Sequence, residues 1–514
     1  MSVFCSLRLF LLSRSITLLL LCIICCSSSE ISSHEKERVM SKESHFHVMK
    51  GSSLLKDALL DCSSDASSSS STTSSMQGAQ SDKSSMKIVH RKHHCSNSHQ
   101  LNQNEEDIPK SGGKILENYL LQDQIRVNYI QSKFSKNENN SDEYFPSRKD
   151  SIVSSIPAKS GIPLSIGNYY VNVGFGTPKK DLSLIFDTGS DFSWIQCKPC
   201  VISCHEQEQP IFDPSQSKTY SNISCNSSEC AQLRSATSIT PKCSSPSTCV
   251  YGIQYGDQSY SVGYFGSETI TLTSRDVFRK FRFGCGQNNR GLFGKTAGLL
   301  GLGRDRLSLI SQTAKQYRQV FSYCLPSSVS STGYLKLGND KKDKISSTKF
   351  TPLLTNSKGT SFYFLDMTSI TVGGSKLAIP ASVFASSGTI IDSGTVISRL
   401  PSSAYAALRS SFRSFMSQYP LTTPTRLLDT CYNLTSFDVV SVPKIILNFR
   451  GGVDLDVNFY GLLVGPIDQI CLAFAGNQDD TDVAILGNRQ QQTIKVIYNV
   501  AGKKLGFIPG GCSS

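Results

Sequence analysis

From residue 161 onward, short apolar runs alternate with glycine and polar turns. Residues 169–175, 182–186, 281–283, 334–337, 363–365, 444–449 and 493–498 each read as strands rich in β-branched and aromatic side chains. Helical periodicity is sparse there, and residues 402–416 are its best case. Upstream, one segment differs. Over residues 114–134, Leu116, Leu120, Val127, Ile130 and Phe134 recur at spacings of three, four or seven, which predicts one apolar helical face in need of a partner surface. A body of about 350 residues built mostly of strands exceeds a single sandwich, so the pattern predicts an all-β class with two lobes. Residues 339–349, charged and serine-containing, are the candidate linker.

The rest of the 514-residue chain reads as segments outside that body. Arg8 and Arg14 precede an apolar run over residues 16–26, followed by serines. That run has the length of a secretory signal core and about half that of a membrane span, so residues 1–28 are expected to be a signal peptide. An uncleaved anchor, extended by Leu7 to Leu12, is the alternative. Residues 29–160 then form a leader. Its tract at 63–75 is almost continuous serine and threonine, which buries too little to fold. His90, Arg91, His93, His94 and Cys95 cluster without a second ligand pair at zinc-like spacing, so no metal is expected.

Charge and cysteines narrow the picture. The formal net charge is +12; residues 1–160 carry 19 basic and 17 acidic side chains, leaving +10 on the remainder. Those cations are scattered, with no basic run interleaved with aromatics, so nucleic-acid binding is disfavoured without being closed off. Of 18 cysteines, Cys5, Cys22, Cys25 and Cys26 lie in the signal and Cys62 and Cys95 in the leader. Twelve follow residue 190, seven of them between 197 and 249. Cys197 and Cys200 alone could form a zinc or redox pair, but an even dozen behind a signal reads as six disulfides whose connectivity spacing cannot choose. Asn139, Asn222, Asn226 and Asn433 satisfy the Asn-x-Ser/Thr glycosylation pattern.

The chemistry resides in a repeat. Residues 184–190 run Leu-Ile-Phe-Asp-Thr-Gly-Ser and residues 389–395 run Thr-Ile-Ile-Asp-Ser-Gly-Thr. Each copy sets a carboxylate, Asp187 or Asp392, at a strand-to-turn junction with glycine and hydroxyls beside it. One such tripeptide is an ordinary turn. Two copies, one per half, point to paired carboxylates. At about 3 Å the two cannot both ionise, so they share a proton and titrate as a unit. A water between them loses a proton to one while the other protonates a substrate carbonyl, which is amide hydrolysis in acid without a covalent intermediate.

At this point the chain resembles the pepsin-like aspartic proteases (A1), specifically the plant nepenthesin-type branch, over roughly residues 167–512. Asp187-Thr188-Gly189-Ser190 with Trp194, and Asp392-Ser393-Gly394-Thr395, match the two catalytic loops. Tyr255-Gly256-Asp257 looks like the flap that closes over substrate, while Leu299-Leu300-Gly301 and Ile485-Leu486-Gly487 look like the strands beneath the loops. The resemblance implies a bilobal fold of two β-barrel-like lobes around a cleft, over 161–345 (with the Cys-rich insertion 197–249) and 346–514. It implies that Thr188 and Ser393 cross-link the loops, that Ser190 and Thr395 bond the outer carboxylate oxygens, and that Cys431 pairs with Cys471 and Cys324 with Cys512. It further implies a secreted, monomeric endopeptidase without cofactor or metal, in the apoplast or vacuole, acting on polypeptides and bound by pepstatin-like inhibitors, with no membrane attachment after signal removal. The leader, through its basic strand Lys87-Ile88-Val89-His90-Arg91 and the helix to Phe134, resembles an inhibitory propeptide released by acid. Two alternatives are kept: a basic DNA-binding protease of plastid nucleoids, and a catalytically weak inhibitor- or receptor-like relative.

Overall fold

A computed structural model describes residues 45–50, 111–135, 153–160, 167–244, 247–255, 258–339, 348–357 and 359–512. The predicted signal, the serine tract, the basic strand at 87–91, His93, His94, Cys62, Cys95, Asn139 and most of the linker lie outside them.

The seven predicted strands all form, and three of them, 182–186, 281–283 and 334–337, are longer than the predicted run. Strand β3 (Tyr169–Phe175) buries Tyr169, Val171 and Val173 on alternate positions and pairs antiparallel with β4 (Lys180–Asp187). The run at 281–283 belongs to a 14-residue strand, Val277–Arg290, paired with Tyr260–Thr271. The helix predicted at 402–416 spans Ser402–Phe415 and buries Ala404, Leu408 and Phe412.

The two halves share one sheet. Strand β2 (Ser154–Ser160) lies between β3 and Gly333–Leu337, which continues through Val320–Cys324 to Ile494–Asn499, Lys504–Pro509 and Phe350–Leu354. Phe321 stacks on Tyr498 at 4.3 Å where the halves meet, and Cys324–Cys512 bonds the same junction covalently. Residues 154–160, assigned from sequence to the leader, are thus built into the sheet of the body, because Ser154, Ile156 and Ala158 alternate as buried positions.

Each half repeats the arrangement that positions an aspartate. Strand β4 runs parallel to Gly298–Gly301, and Thr389–Ile391 runs parallel to Ala484–Leu486, so each acidic loop emerges beside an apolar strand ending at glycine. Gly301 packs against the backbone of Asp191 and Gly487 against the Val396 carbonyl, an approach that leaves no space for a side chain.

Two leader elements are docked on this body. Helix α1 (Ser111–Ser135) is longer than the predicted 114–134 by three residues at its N-terminus and one at its C-terminus. Leu116 and Leu120 pack on Ile397, Leu428 and the Cys431–Cys471 bridge, while Val127, Ile130 and Phe134 pack on Phe362, Phe364, Ile390 and Ile485. Strand β1 (Phe46–Lys50), which periodicity did not signal, pairs antiparallel with Val439–Pro443.

Candidate active site

The two acidic loops interlock through their backbones. The Thr188 amide donates to Ser393 Oγ at 3.1 Å and the Ser393 amide donates to Thr188 Oγ1 at 2.9 Å. Serine at 393 is sufficient because only the hydroxyl is used. Gly189 N–H donates to Asp187 Oδ1 at 2.9 Å, and Gly394 N–H to Asp392 Oδ1 at 3.0 Å. The glycines are needed for proximity: a Cβ on Gly189 would lie 2.6 Å from Asp392 Oδ1, and one on Gly394 would lie 2.5 Å from Asp187 Oδ1. Both aspartates are buried.

The outer hydroxyls behave differently. Thr395 Oγ1 donates to Asp392 Oδ2 at 2.5 Å, as expected. Ser190 Oγ, in contrast, is buried without a hydrogen-bond partner, and so is Asp187 Oδ2. Ser190 nonetheless lies close enough to help hold the Asp187 carboxyl down, and Asp187 Oδ1 is engaged by the Gly189 amide and by a cation that sequence reading had not singled out.

That cation is Arg126 of α1. Its Nη2 lies 2.7 Å from Asp187 Oδ1 and 3.0 Å from Asp392 Oδ1, and its Nε donates to Asp392 Oδ2 at 3.0 Å. Burial favours neutral Arg126, but the two carboxylates outweigh it and hold the guanidinium more firmly charged than usual. Burial likewise pushes Asp187 up, yet Arg126 and the Gly189 amide bring it below its ordinary value. Asp392 stays above its ordinary value: burial and the neighbouring Asp187 charge outweigh Arg126.

One turn before Arg126, Asp123 forms a second polar anchor. It receives Val396 N–H at 2.5 Å, Ile397 N–H at 3.1 Å and Arg399 Nη2 at 2.9 Å, and both members of the ion pair are buried. In sequence, the only trace of this pair was two single charges, one on α1 and one seven residues after Asp392.

Strands Thr248–Gln254 and Tyr260–Thr271 form an antiparallel hairpin, and Tyr255 of the expected flap follows the first; Gly256 and Asp257 lie outside the described residues. Trp194 is fully buried, and its Nε1 donates to Tyr255 Oη at 2.8 Å. Burial raises the Tyr255 phenol well above its ordinary value, so it stays protonated. A third carboxyl, Asp191, accepts the Asp305 amide at 2.8 Å; burial and the Asp305 charge push it up to about 7.

All twelve downstream cysteines are bonded. Cys431–Cys471 and Cys324–Cys512 form as the resemblance implied. Within the insertion, Cys200 bonds Cys204, Cys225 bonds Cys243 and Cys230 bonds Cys249. The seventh, Cys197, reaches out to Cys285, so Cys197 and Cys200 are not a metal pair. Among the described residues, no group of three His, Cys, Asp or Glu side chains is placed to hold a metal. Asn222 and Asn226 are exposed and Asn433 is half-buried.

Comparison with known proteins places this geometry. The chain is 49% identical to an aspartyl protease family protein of Arabidopsis thaliana over 473 residues, covering 92% of this chain and 94% of that one. The chain belongs to the pepsin-like aspartic protease family. Within it, aspartyl protease AED1 of Arabidopsis thaliana is 45% identical over 84% of this chain and 88% of its own. Aspartic proteinase nepenthesin-2 of Nepenthes gracilis is 36% identical over 71% and 84%. Residues 169–339 match the family model described as xylanase inhibitor N-terminal, and residues 362–509 the one described as xylanase inhibitor C-terminal. The same bilobal fold occurs in the crystal structures of edgp and of basic 7S globulin from soybean. Each has a TM-score of 0.56 at 21% identity, covering 72% and 71% of this chain and 96% and 97% of theirs.

Proposed function

We propose that this member of the family is a secreted aspartic endopeptidase made as a zymogen, with Asp187 and Asp392 as its catalytic dyad. The observation that carries the reading is that one nitrogen, Arg126 Nη2, hydrogen-bonds both carboxylates, so they converge on a point where a water could take its place. With the leader gone, the dyad holds one proton. Its ionised carboxylate takes a proton from water as the water oxygen bonds to the peptide carbonyl carbon, and its protonated carboxyl donates to the carbonyl oxygen. The resulting gem-diol collapses, the amide nitrogen takes up a proton and the C–N bond breaks. The interlocked Thr188 and Ser393 keep the carboxylates in register, and Tyr255 on the flap covers the substrate.

Latency follows from α1. Its apolar face covers the cleft, and Arg126 neutralises the dyad. The pairing of β2 within the sheet of the body supports maturation between Ser135 and Ser154. The apolar run at 16–26, the six disulfides and the exposed Asn222 and Asn226 support secretion.

A second reading, an inhibitor that uses the same body without hydrolysis, is favoured by the descriptions of the two family models. Degradation of a denatured protein from pH 2 to 7, with and without pepstatin, separates the two. The protease reading expects acid-dependent, pepstatin-sensitive cleavage that falls by at least about 100-fold in Asp187→Asn and Asp392→Asn. Cleavage that survives either substitution sinks the dyad, and no cleavage at any pH favours the inhibitor.

A further inference from the structure

Arg399 sits in the cleft wall with a full charge that the body does not balance. Its side chain is 1% exposed, and its one carboxylate partner among the described residues is Asp123 of the leader. From the body it has only the Ile397 carbonyl, 2.8 Å from Nη1, and its Nε has no partner. Gln124, also of the leader, lies 3.5 Å from Nη2. Breaking a buried pair by removing one partner is strongly unfavourable. Departure of α1 therefore leaves a cation that a substrate group can satisfy.

The surroundings of that cation form a receptor for a carboxylate. Arg399 Nη2 and the Val396 and Ile397 amides, all from the body, converge on the two oxygens of Asp123. Asp123 is three residues from Arg126, about 4.5 Å along the helix axis, so the receptor lies close to the point of hydrolysis. Its floor is apolar on one side, where Ile397, Leu428 and Ala473 pack beneath Leu120.

We propose that Arg399, with the Val396 and Ile397 amides, forms a substrate subsite for an acidic side chain, and that Asp123 occupies it in the latent chain as a stand-in for substrate. The preferred substrates are polypeptides with Asp or Glu at one fixed offset from the scissile bond. This inference rests on the protease reading above. A carboxylate bound this way is recognised only while ionised, because Arg399 is a donor with no acceptor capacity. The preference thus fades in strong acid, as the substrate aspartate (ordinary value about 3.9) takes up its proton.

The test uses the full secreted chain after activation in acid, with two peptide series that carry a single Asp or its neutral isostere Asn at each of four positions on either side of the cleaved bond. One position should favour Asp over Asn by about 10- to 100-fold in kcat/KM at pH 5.5, as hydrogen bonds to charged groups discriminate. The ratio should fall towards one at pH 3, and also in Arg399→Gln at pH 5.5. The wild-type pH comparison stands even where Arg399→Gln fails to fold. If peptides are cleaved but no position discriminates, or the Asp preference is unchanged at pH 3, the subsite is overturned and the protease reading stands. If no peptide is cleaved at any pH, both fall.

Discussion

Arg126 Nη2 and Asp187 Oδ1 lie 2.7 Å apart, although 61 residues separate them and one belongs to the leader and the other to the body. Arg126 favours the ionised form of both aspartates, so the docked state binds fewer protons than the uncovered dyad, and docking of α1 weakens as pH falls. Asp392, held above the ordinary value of 3.8, takes up its proton first; Asp187, held below it, follows at lower pH. Hydrogen exchange of residues 111–135, corrected for intrinsic rates, should show the helix protected at pH 7 and opening as pH falls towards and through that range. Arg126→Gln leaves two buried carboxylates without their cation, a loss of about 3–5 kcal/mol for a broken buried pair, and should expose the helix already at pH 7. Equal protection in the variant would show that the apolar face alone holds α1.

Gly189 and Gly394 each face the opposite aspartate at less than a van der Waals contact for any added carbon. Gly189→Ala should push the loops apart, at a cost of about 1–3 kcal/mol as in other overpacked sites, and the denaturant midpoint of the full chain should fall accordingly. Cleavage at pH 4 should fall further than stability does, because the carboxylate spacing itself is altered. An alanine variant with wild-type turnover would mean that the loops have slack.

The disulfides should differ in worth according to the chain they close. Cys197–Cys285 spans 88 residues and Cys200–Cys204 spans 4. Loop-closure entropy assigns about 4.6 and about 2 kcal/mol to them. Replacing both cysteines by serine in each pair, and comparing urea midpoints, should show the larger loss for Cys197–Cys285; the reverse order would show that strain or residual unfolded structure decides.

What was legible in the sequence follows a physical rule. The dyad, the interlocked Thr188 and Ser393 and the apolar-glycine strands were readable because each repeats locally in both halves. The apolar face of α1 was readable through its period. Arg126, Asp123 and Arg399 were missed because their meaning depends on contacts 61 to 276 residues apart, and an isolated charge on a helix ordinarily points to solvent. Strand β1 was missed because it is only five residues long, and its half-buried His47 and Met49 alternate with exposed Val48 and Lys50 over too short a stretch to stand out.

Strand β1 also leads to a test in which the proton acts away from the dyad. It forms a two-stranded sheet with Val439–Pro443, with Phe46 edge-on to Phe415 at 5.6 Å and His47 against Phe459 at 6.1 Å. His47 Nε2 is buried with no hydrogen-bond partner. Burial is the main influence and lowers His47 below its ordinary 6.5; Asp456 opposes this, Lys444 adds to it and a bond with the Val457 backbone opposes it. A docked histidine with a lowered value binds fewer protons than a free one, so docking is at full strength above pH 6.5 and weakens by about tenfold per unit below it, until the docked value is reached. Amide exchange of residues 439–442 in the full chain should therefore be slow at pH 7.5 and, after correction for intrinsic rates, faster at pH 5. His47→Phe should keep its protection at pH 5, and Phe46→Asp should lack it at both. Protection of residues 439–442 that is the same in Phe46→Asp as in the wild type would show that the leader strand does not hold this strand in solution.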